Sequence, residues 1–578
     1  MRLKAWHCQL LLAAAVLIAY FPAVHAGYCS IDDLKMIASL DNAGPVELRR
    51  LFFPGGGGYY YRPLTILSFY FDREAWGTIA SFMHLENVLL HLANSLLVFA
   101  VARRVAGVFG YVGPGLAFCA ALFFALHPLA AEPVCWISGR TDLLAGFFLL
   151  ATLGLFLAGL ERRQPGLFLS GGVALLLACL AKEVAVFALP GLLWCVLVFP
   201  DSGVSTWLRV RRRWLGLVTP VLAIAGYFAL RHIALARDNG IRTAVEGVAV
   251  GSFDLLDMLR IALKVYGFYF MKLLLPWPLN FAIAEVAGWY LLGGGALAGL
   301  LVWAALRRDL LGALGILAFC VLAPAILIPF GKMAWTPVAE RYMYTSVAII
   351  APAVVIGVCR WSKGLSIDRH RAGLYVVLLV GLVFFGSTMH RAWIWQENVR
   401  LFADTVAKSP EFVPARVELA TALTYRGQAA AAESVLREMQ NAPGAKSFLG
   451  DDINLAQLMA ARGDLDQARA LLVGQLDASH KKYHDLLQAV LKINDQLLVR
   501  ATDLETRTSI QQESLRWLHE QQRIRPSAFT LYRIGKQQFA LGNHAAAREA
   551  FRDALAQEPV GAHYREAAAR FIERLDGA

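Results

Sequence analysis

The chain has 578 residues, of which 57% are hydrophobic and only 17% charged, with a formal net charge of +12. That balance excludes an ordinary soluble enzyme over most of the length and marks a polytopic membrane protein, for which a domain count taken from length does not apply. The positive charge is no nucleic-acid signal either, because the Arg residues gather in short loops between apolar segments, as the positive-inside rule expects.

Taken in order, Met1-Arg-Leu-Lys4 precedes an apolar run to about Tyr20 and then Ala23-Val24-His25-Ala26, a pattern that also fits a cleaved signal peptide. A retained first helix is the preferred reading, since it holds the acid pair Asp32-Asp33 a few residues beyond its end. Ten further apolar segments follow at 85–102, 108–127, 142–160, 165–181, 184–200, 214–231, 289–306, 309–330, 343–360 and 372–389. Most approach the roughly 20 residues that a spanning helix needs. With the first helix they make eleven spans. Lys4, Arg103-Arg104, Glu161-Arg162-Arg163, Arg209 with Arg211-Arg212-Arg213, Arg307-Arg308 and the stretch 360–371 then share one side, the cytoplasm. The odd count puts everything after residue 390 outside. Segment 254–275 carries Arg260, Lys264 and Lys272 and is read as an interfacial or re-entrant helix on the outer face.

Beyond residue 390 the composition becomes that of a soluble helical domain with glycines at recurring turns. The units read Leu419-Ala420, Gly427, Ala430; then Leu455-Ala456, Gly463, Ala468; then Gly535, Gly542, Ala546, with Pro559 closing the last. Gly427 and Gly463 are 36 residues apart and Gly542 lies 79 further on, room for two more helix pairs. Repeats of the tetratricopeptide type fit this spacing, with 481–525 an irregular repeat or spacer. The expected fold is therefore all-α: a polytopic membrane bundle over 1–390, then a soluble repeat α-solenoid over 391–578 with three or four repeats that hold an extended peptide or another protein.

Chemistry is expected in two outer loops, 28–84 and 127–142. Asp32-Asp33 is the foremost candidate, because a carboxylate within hydrogen-bond reach is the usual base for a hydroxyl that must lose its proton. The plainer reading makes the pair a helix cap for the run that starts at Leu34. Arg62, after the glycine run at 55–58, is suited to clamping a phosphate. His84, Asn87 and His91 share one face of the second membrane helix, where helix-to-helix hydrogen bonding is favoured over a metal site. His127, Glu132, Arg140, Asp142, Lys182, Glu183, Glu340 and Arg341 fall at the same face and, with Arg62 and His84, complete the set for a donor's phosphate or sugar, the charged ones with an interfacial ion pair as their plainer reading. No Cys-x-x-Cys occurs and no metal is expected, although Cys29 and Cys135 fall in the two loops and are candidates for a disulfide. Trp395 is read as part of the interfacial aromatic belt.

The motifs Tyr61-Arg-Pro-Leu, Phe82-Met-His84-Leu-Glu-Asn87-Val-Leu-Leu-His91, His127-Pro-Leu-Ala-Ala-Glu132-Pro-Val-Cys-Trp-Ile-Ser-Gly-Arg140-Thr-Asp142 and Ala339-Glu-Arg-Tyr-Met-Tyr344 together resemble the transmembrane-and-tetratricopeptide-repeat O-mannosyltransferases and their bacterial relatives. The resemblance implies a GT-C glycosyltransferase fold, a polyprenyl-phosphate sugar as donor substrate with no cofactor, and metal-independent inverting transfer. It also implies that Asp32-Asp33 is the family's acidic motif, its first Asp the base. The function expected is transfer of a sugar to an acceptor such as a protein hydroxyl on the outer face of a bacterial inner membrane. Two other readings are an oligosaccharide transferase or ligase using a diphosphate-linked glycan, and a non-enzymatic membrane-anchored repeat scaffold.

Overall fold

The computed structural model describes residues 4–41, 45–54, 60–200, 206–235, 254–331, 336, 338–362, 367–439, 452–477, 483–524, 526–557 and 564–576. The glycine run at 55–58 and Pro559 lie outside the described residues, as do the side chains of Arg209, Arg211, Arg212 and Arg371. Among the described residues the chain is helical, with one isolated bridge between Ile283 and Val338. It divides into two compact units, Met1–Lys35 with Gly58–Leu401 and Met36–Gly57 with Phe402–Ala578.

In the first unit every apolar segment of the sequence is helical. Helix α1 (Ala5–Ala19) buries Cys8, Leu12, Val16 and Ala19, one face repeating at helical period. The acid pair opens α2 (Asp33–Asp41), and Pro63 begins α3 (Pro63–Trp76), where its missing N–H costs nothing. Then come α4 (Ala80–Val108), α5 (Gly115–Ala125), the short α6 (Ala131–Cys135), α7 (Arg140–Arg162) and α8 (Pro165–Ala181). These are followed by α9 (Leu189–Val198), α10 (Thr206–Ala234), α11 (Leu255–Leu274) and α12 (Tyr290–Arg307), and then by α13 (Leu310–Leu322), α14 (Tyr344–Ser362) and α15 (Ile367–Ile394). Among the described residues five stretches, Ala80–Val108, Ile137–Arg162, Arg213–Ala234, Tyr290–Arg307 and Glu340–Ser362, suffice by length and composition to cross a membrane. The pair Gly115–Ala125 and Pro128–Cys135, bent by 53°, is a sixth if taken as one span; four more apolar helices are shorter. The chain is a multi-pass membrane protein.

Helix α11 is too charged to qualify as a span, and Asp254 caps it by accepting from the Asp257 amide at 2.7 Å. It is nonetheless packed into the bundle. A Cβ on Gly267 would meet the Tyr290 carbonyl oxygen of α12 at 1.9 Å, and one on Gly294 would meet that of Leu263 at 2.0 Å. Only glycine lets two backbones approach this closely.

The second unit contains helix hairpins. Their members are α17 (Val413–Tyr425) with α18 (Ala429–Met439), α19 (Asp452–Arg462) with α20 (Leu465–Gly474), α21 (Tyr483–Arg500) with α22 (Leu504–Ile524), and α23 (Ala528–Ala540) with α24 (His544–Gln557). α16 (Asn398–Lys408) leads in and α25 (Arg565–Asp576) follows. Gly427, Gly463 and Gly542 all take positive φ (74°, 94° and 77°) at hairpin turns. Four helices, α20 to α23, lie between Gly463 and Gly542, and two of them, α21 and α22, are long, with 18 and 21 residues.

Candidate active site

The loop from Gly27 to Asp33 is pinned at almost every polar group. Gly27 donates its N–H to the Gln396 carbonyl at 3.2 Å, and its own carbonyl lies 3.2 Å from His84 Nε2. The Tyr28 hydroxyl donates to the Thr78 carbonyl, and the Tyr28 carbonyl accepts from Asn398 Nδ2 at 3.0 Å. Ser30 donates its N–H to Asn398 Oδ1 at 3.3 Å. Asp33 is fully buried: Oδ2 accepts the Cys29 N–H at 3.0 Å, while Oδ1 accepts the Ser138 N–H at 3.1 Å and its hydroxyl at 2.7 Å. Burial pushes the Asp33 carboxyl above its ordinary range, the bonds from Ser138 and Cys29 oppose that, and the neighbouring Asp32 adds a further upward push. Asp32 differs. Its side chain is exposed and makes no hydrogen bond or ion pair among the described residues.

Ser138 belongs to the second loop, whose tight course depends on Gly139, where a Cβ would meet the Pro133 carbonyl oxygen at 2.4 Å. The same loop carries Trp136, and Arg341 lies over its ring at 5.2 Å. Arg341 pairs with Glu132 at 2.7 Å, and its N–H also donates to that carboxylate at 3.2 Å. Beside it stands Tyr342, 5.7 Å from the Lys182 ammonium, which pairs with buried Asp142 at 2.6 Å. Burial lowers the Lys182 pKa against the pull of Asp142, and Arg62 and Arg341 push it lower still. Arg62 grips Glu183 with two parallel bonds, at 2.8 and 2.5 Å, and lies over the Tyr60 ring at 4.2 Å. The candidate site therefore comprises Ser138, bonded to Asp33, and Trp136, under Arg341, together with the ion pairs of Arg341, Lys182 and Arg62. Each of its three cations faces one carboxylate.

The remaining sequence candidates are structural in their contacts. Arg140 is wholly enclosed: Nη1 pairs with Asp72 at 2.5 Å and Glu86 at 2.7 Å, Nε donates to Asn87 Oδ1 at 2.9 Å, and Nη2 donates to the Met83 carbonyl at 3.0 Å. Every side of its guanidinium is used within the protein. Glu340 accepts from Lys272 at 2.8 Å and from the Asn280 N–H at 3.1 Å. His127 lies 3.2 Å from the Leu273 carbonyl through Nε2 and accepts the Leu129 N–H through Nδ1 at 3.4 Å. Asn87 donates to the Trp136 carbonyl at 2.9 Å, and His91 contacts the Tyr344 hydroxyl at 2.9 Å, so this face of α4 links helices as its polar pattern implied.

Cys29 and Cys135 are both buried and are not joined by a disulfide. Trp395 is not interfacial but 4% exposed, packed against Trp136 and Phe281. Among the described residues no group of three His, Cys, Asp or Glu side chains is placed to hold a metal ion. Sequence reading missed Ser138, Gln396, Asn398, Asp72 and Glu86. For Lys272 a signal was present, since a lysine in an apolar stretch of helix asks for a buried partner.

No family model matches the chain. Similar proteins are Protein O-mannosyl-transferase Tmtc2 of Drosophila melanogaster, 30% identical over 244 residues (39% of this chain, 25% of that protein), and Protein O-mannosyl-transferase TMTC2 of Homo sapiens, 30% identical over 195 residues (31% and 23%). A third, Protein O-mannosyl-transferase Tmtc1 of Drosophila melanogaster, is 32% identical over 188 residues (31% and 21%). These proteins are homologues of the chain. The matched stretch spans a quarter or less of each relative's length. The resemblance read from the motifs is thus shown.

Proposed function

We propose that the chain is an integral-membrane glycosyltransferase of GT-C type that moves a sugar from a polyprenyl-phosphate donor to a protein hydroxyl, with inversion. The observation that carries the reading is the exposed, unpartnered carboxylate of Asp32 on a loop whose other polar groups are held. A base held in place by its surroundings but free at its own oxygens is what proton abstraction needs. In the proposed step the acceptor oxygen attacks the anomeric carbon on the face opposite the phosphate and gives its proton to Asp32. The bond from that carbon to the phosphate oxygen breaks, and polyprenyl phosphate leaves with the electron pair. Arg62, Lys182 and Arg341 would stabilise the phosphate charge as it develops.

The acceptor class follows the names of the relatives, which are protein O-mannosyl-transferases. In this reading the acid-pair loop lies on the side opposite the Arg-rich loops, outside the cytoplasm of a bacterial cell, and the tetratricopeptide-like hairpins present the acceptor there. The test is turnover of purified protein with polyprenyl-phosphate sugars, comparing Asp32→Asn, Asp33→Asn and both together, with a thermal melt of each. Lost transfer in Asp32→Asn at an unchanged melting temperature supports the proposal. Full turnover without Asp32 sinks it, and consumption of diphosphate-linked glycans alone would move the donor to that class.

A further inference from the structure

The segment that leaves the last membrane helix makes three of the bonds that fix the acid-pair loop and a fourth to the chain just before it. Asn398, the first residue of α16, uses both ends of its amide: Nδ2 donates to the Tyr28 carbonyl at 3.0 Å and Oδ1 accepts the Ser30 N–H at 3.3 Å. Gln396 donates through Nε2 to the Pro22 carbonyl at 2.7 Å, and its own carbonyl receives the Gly27 N–H at 3.2 Å. Arg400 holds the other end of the Gln396 amide, donating to Oε1 at 3.0 Å. Each amide is therefore fixed in orientation by a donor on one side and an acceptor on the other.

The side-chain amide of Asn398 is not spent locally. It is spent on backbone some 370 residues away in sequence, two and four residues before Asp32. We propose that Asn398, supported by Gln396, is a positioning residue for the acid pair. The first turn of the helix leading out of the membrane unit then sets where Asp32 points. This rests on the reading of Asp32 as the base.

The test uses the full chain in lipid nanodiscs, as native protein, Asn398→Ala, Asn398→Gln and Asp32→Asn. Amide hydrogen exchange is followed over residues 27–33, and turnover is scored as polyprenyl phosphate released from polyprenyl-phosphate hexoses. Removing the clamp should speed exchange over that segment by at least about five- to tenfold, the worth of one of the two hydrogen bonds it loses. It should lower kcat roughly 10- to 100-fold, as displacement of a reacting group does. KM for the donor should hold, because Arg62, Lys182 and Arg341 are untouched. Asn398→Gln, which keeps the amide, should recover part of both effects. Unchanged exchange in Asn398→Ala overturns the clamp. Faster exchange at unchanged kcat overturns the positioning role. Normal turnover in Asp32→Asn brings down the reading of the base, and this inference with it, by a result the Asn398 variants cannot give.

Discussion

Ser138 donates to the same Asp33 oxygen twice, from its amide and its hydroxyl, and so ties the second loop to the first. The pair has a pH signature. Burial raises the folded pKa of Asp33 above the ordinary value of 3.8, so its contribution to stability is full below that value and is lost as pH rises through the folded pKa. Ser138→Ala removes a bond that favours the charged form and should raise that pKa further. The cost of the substitution should therefore grow with pH, from about 0.5–1.5 kcal/mol when the carboxyl is neutral to about 1.5–3 kcal/mol when it is charged. Thermal melts of both proteins from pH 4 to 8 check the trend. A cost that shrinks with pH refutes it.

Arg140 and Asp72, both 0% exposed, should behave as a buried pair. Arg140→Met strands the Asp72 charge and should cost about 3–5 kcal/mol, whereas Arg140→Met with Asp72→Leu should recover most of that loss. Arg140→Lys should fall between, since an ammonium cannot reach four partners that the guanidinium fork meets at once. Melting temperatures in detergent decide. Equal loss in the single and double variants would show that the pair is not the source.

The contact of α11 with α12 predicts a steric effect. Gly267→Val should force the helices apart, at a cost of about 1–3 kcal/mol or more, because the Tyr290 carbonyl is backbone and cannot swing aside. Gly295, with open space at its Cβ, is the control on the same helix as Gly294, and Gly295→Ala should be neutral or slightly stabilising. A melt that separates the two supports close packing as the element that holds α11 in the bundle.

What the sequence made legible was local. The apolar run that ends near Tyr20 appears directly as α1, and Gly427, Gly463 and Gly542 sit where a positive φ is required. Local rules act between neighbours, so a sequence displays them. The partners of Arg140 were not legible, because Asp72 and Glu86 reach it only through the packing of α3, α4 and α7. Asn398 gave no signal in the sequence, and only tertiary structure brings Tyr28 and Ser30 to it. Asp32 and Asp33 were equivalent as letters. They differ because Ser138 reaches one and not the other.

The cations of the candidate site yield the last prediction. Arg62, Lys182 and Arg341 each face a carboxylate, so a phosphate gains little unless an acid gives way. Asp142 and Glu132 are buried, and displacing either leaves a charge in a poorly solvated place. Glu183 is the one free to yield: its side chain is 32% exposed and that of Arg62 is 21% exposed, so both ends already meet solvent. The bidentate, mostly buried Arg62–Glu183 pair is worth more than the about 0–1 kcal/mol of exposed pairs. Glu183→Gln should therefore lower the melting temperature, though less than Asp142→Asn does, while freeing Arg62, and donor KM should fall severalfold at similar kcat. Asp142→Asn should lower stability more because Lys182 loses its buried partner. The check is a KM and kcat measurement on both variants alongside their melts. If donor KM rises in Glu183→Gln, the carboxylate is not standing in the phosphate's place and instead holds Arg62 ready for it.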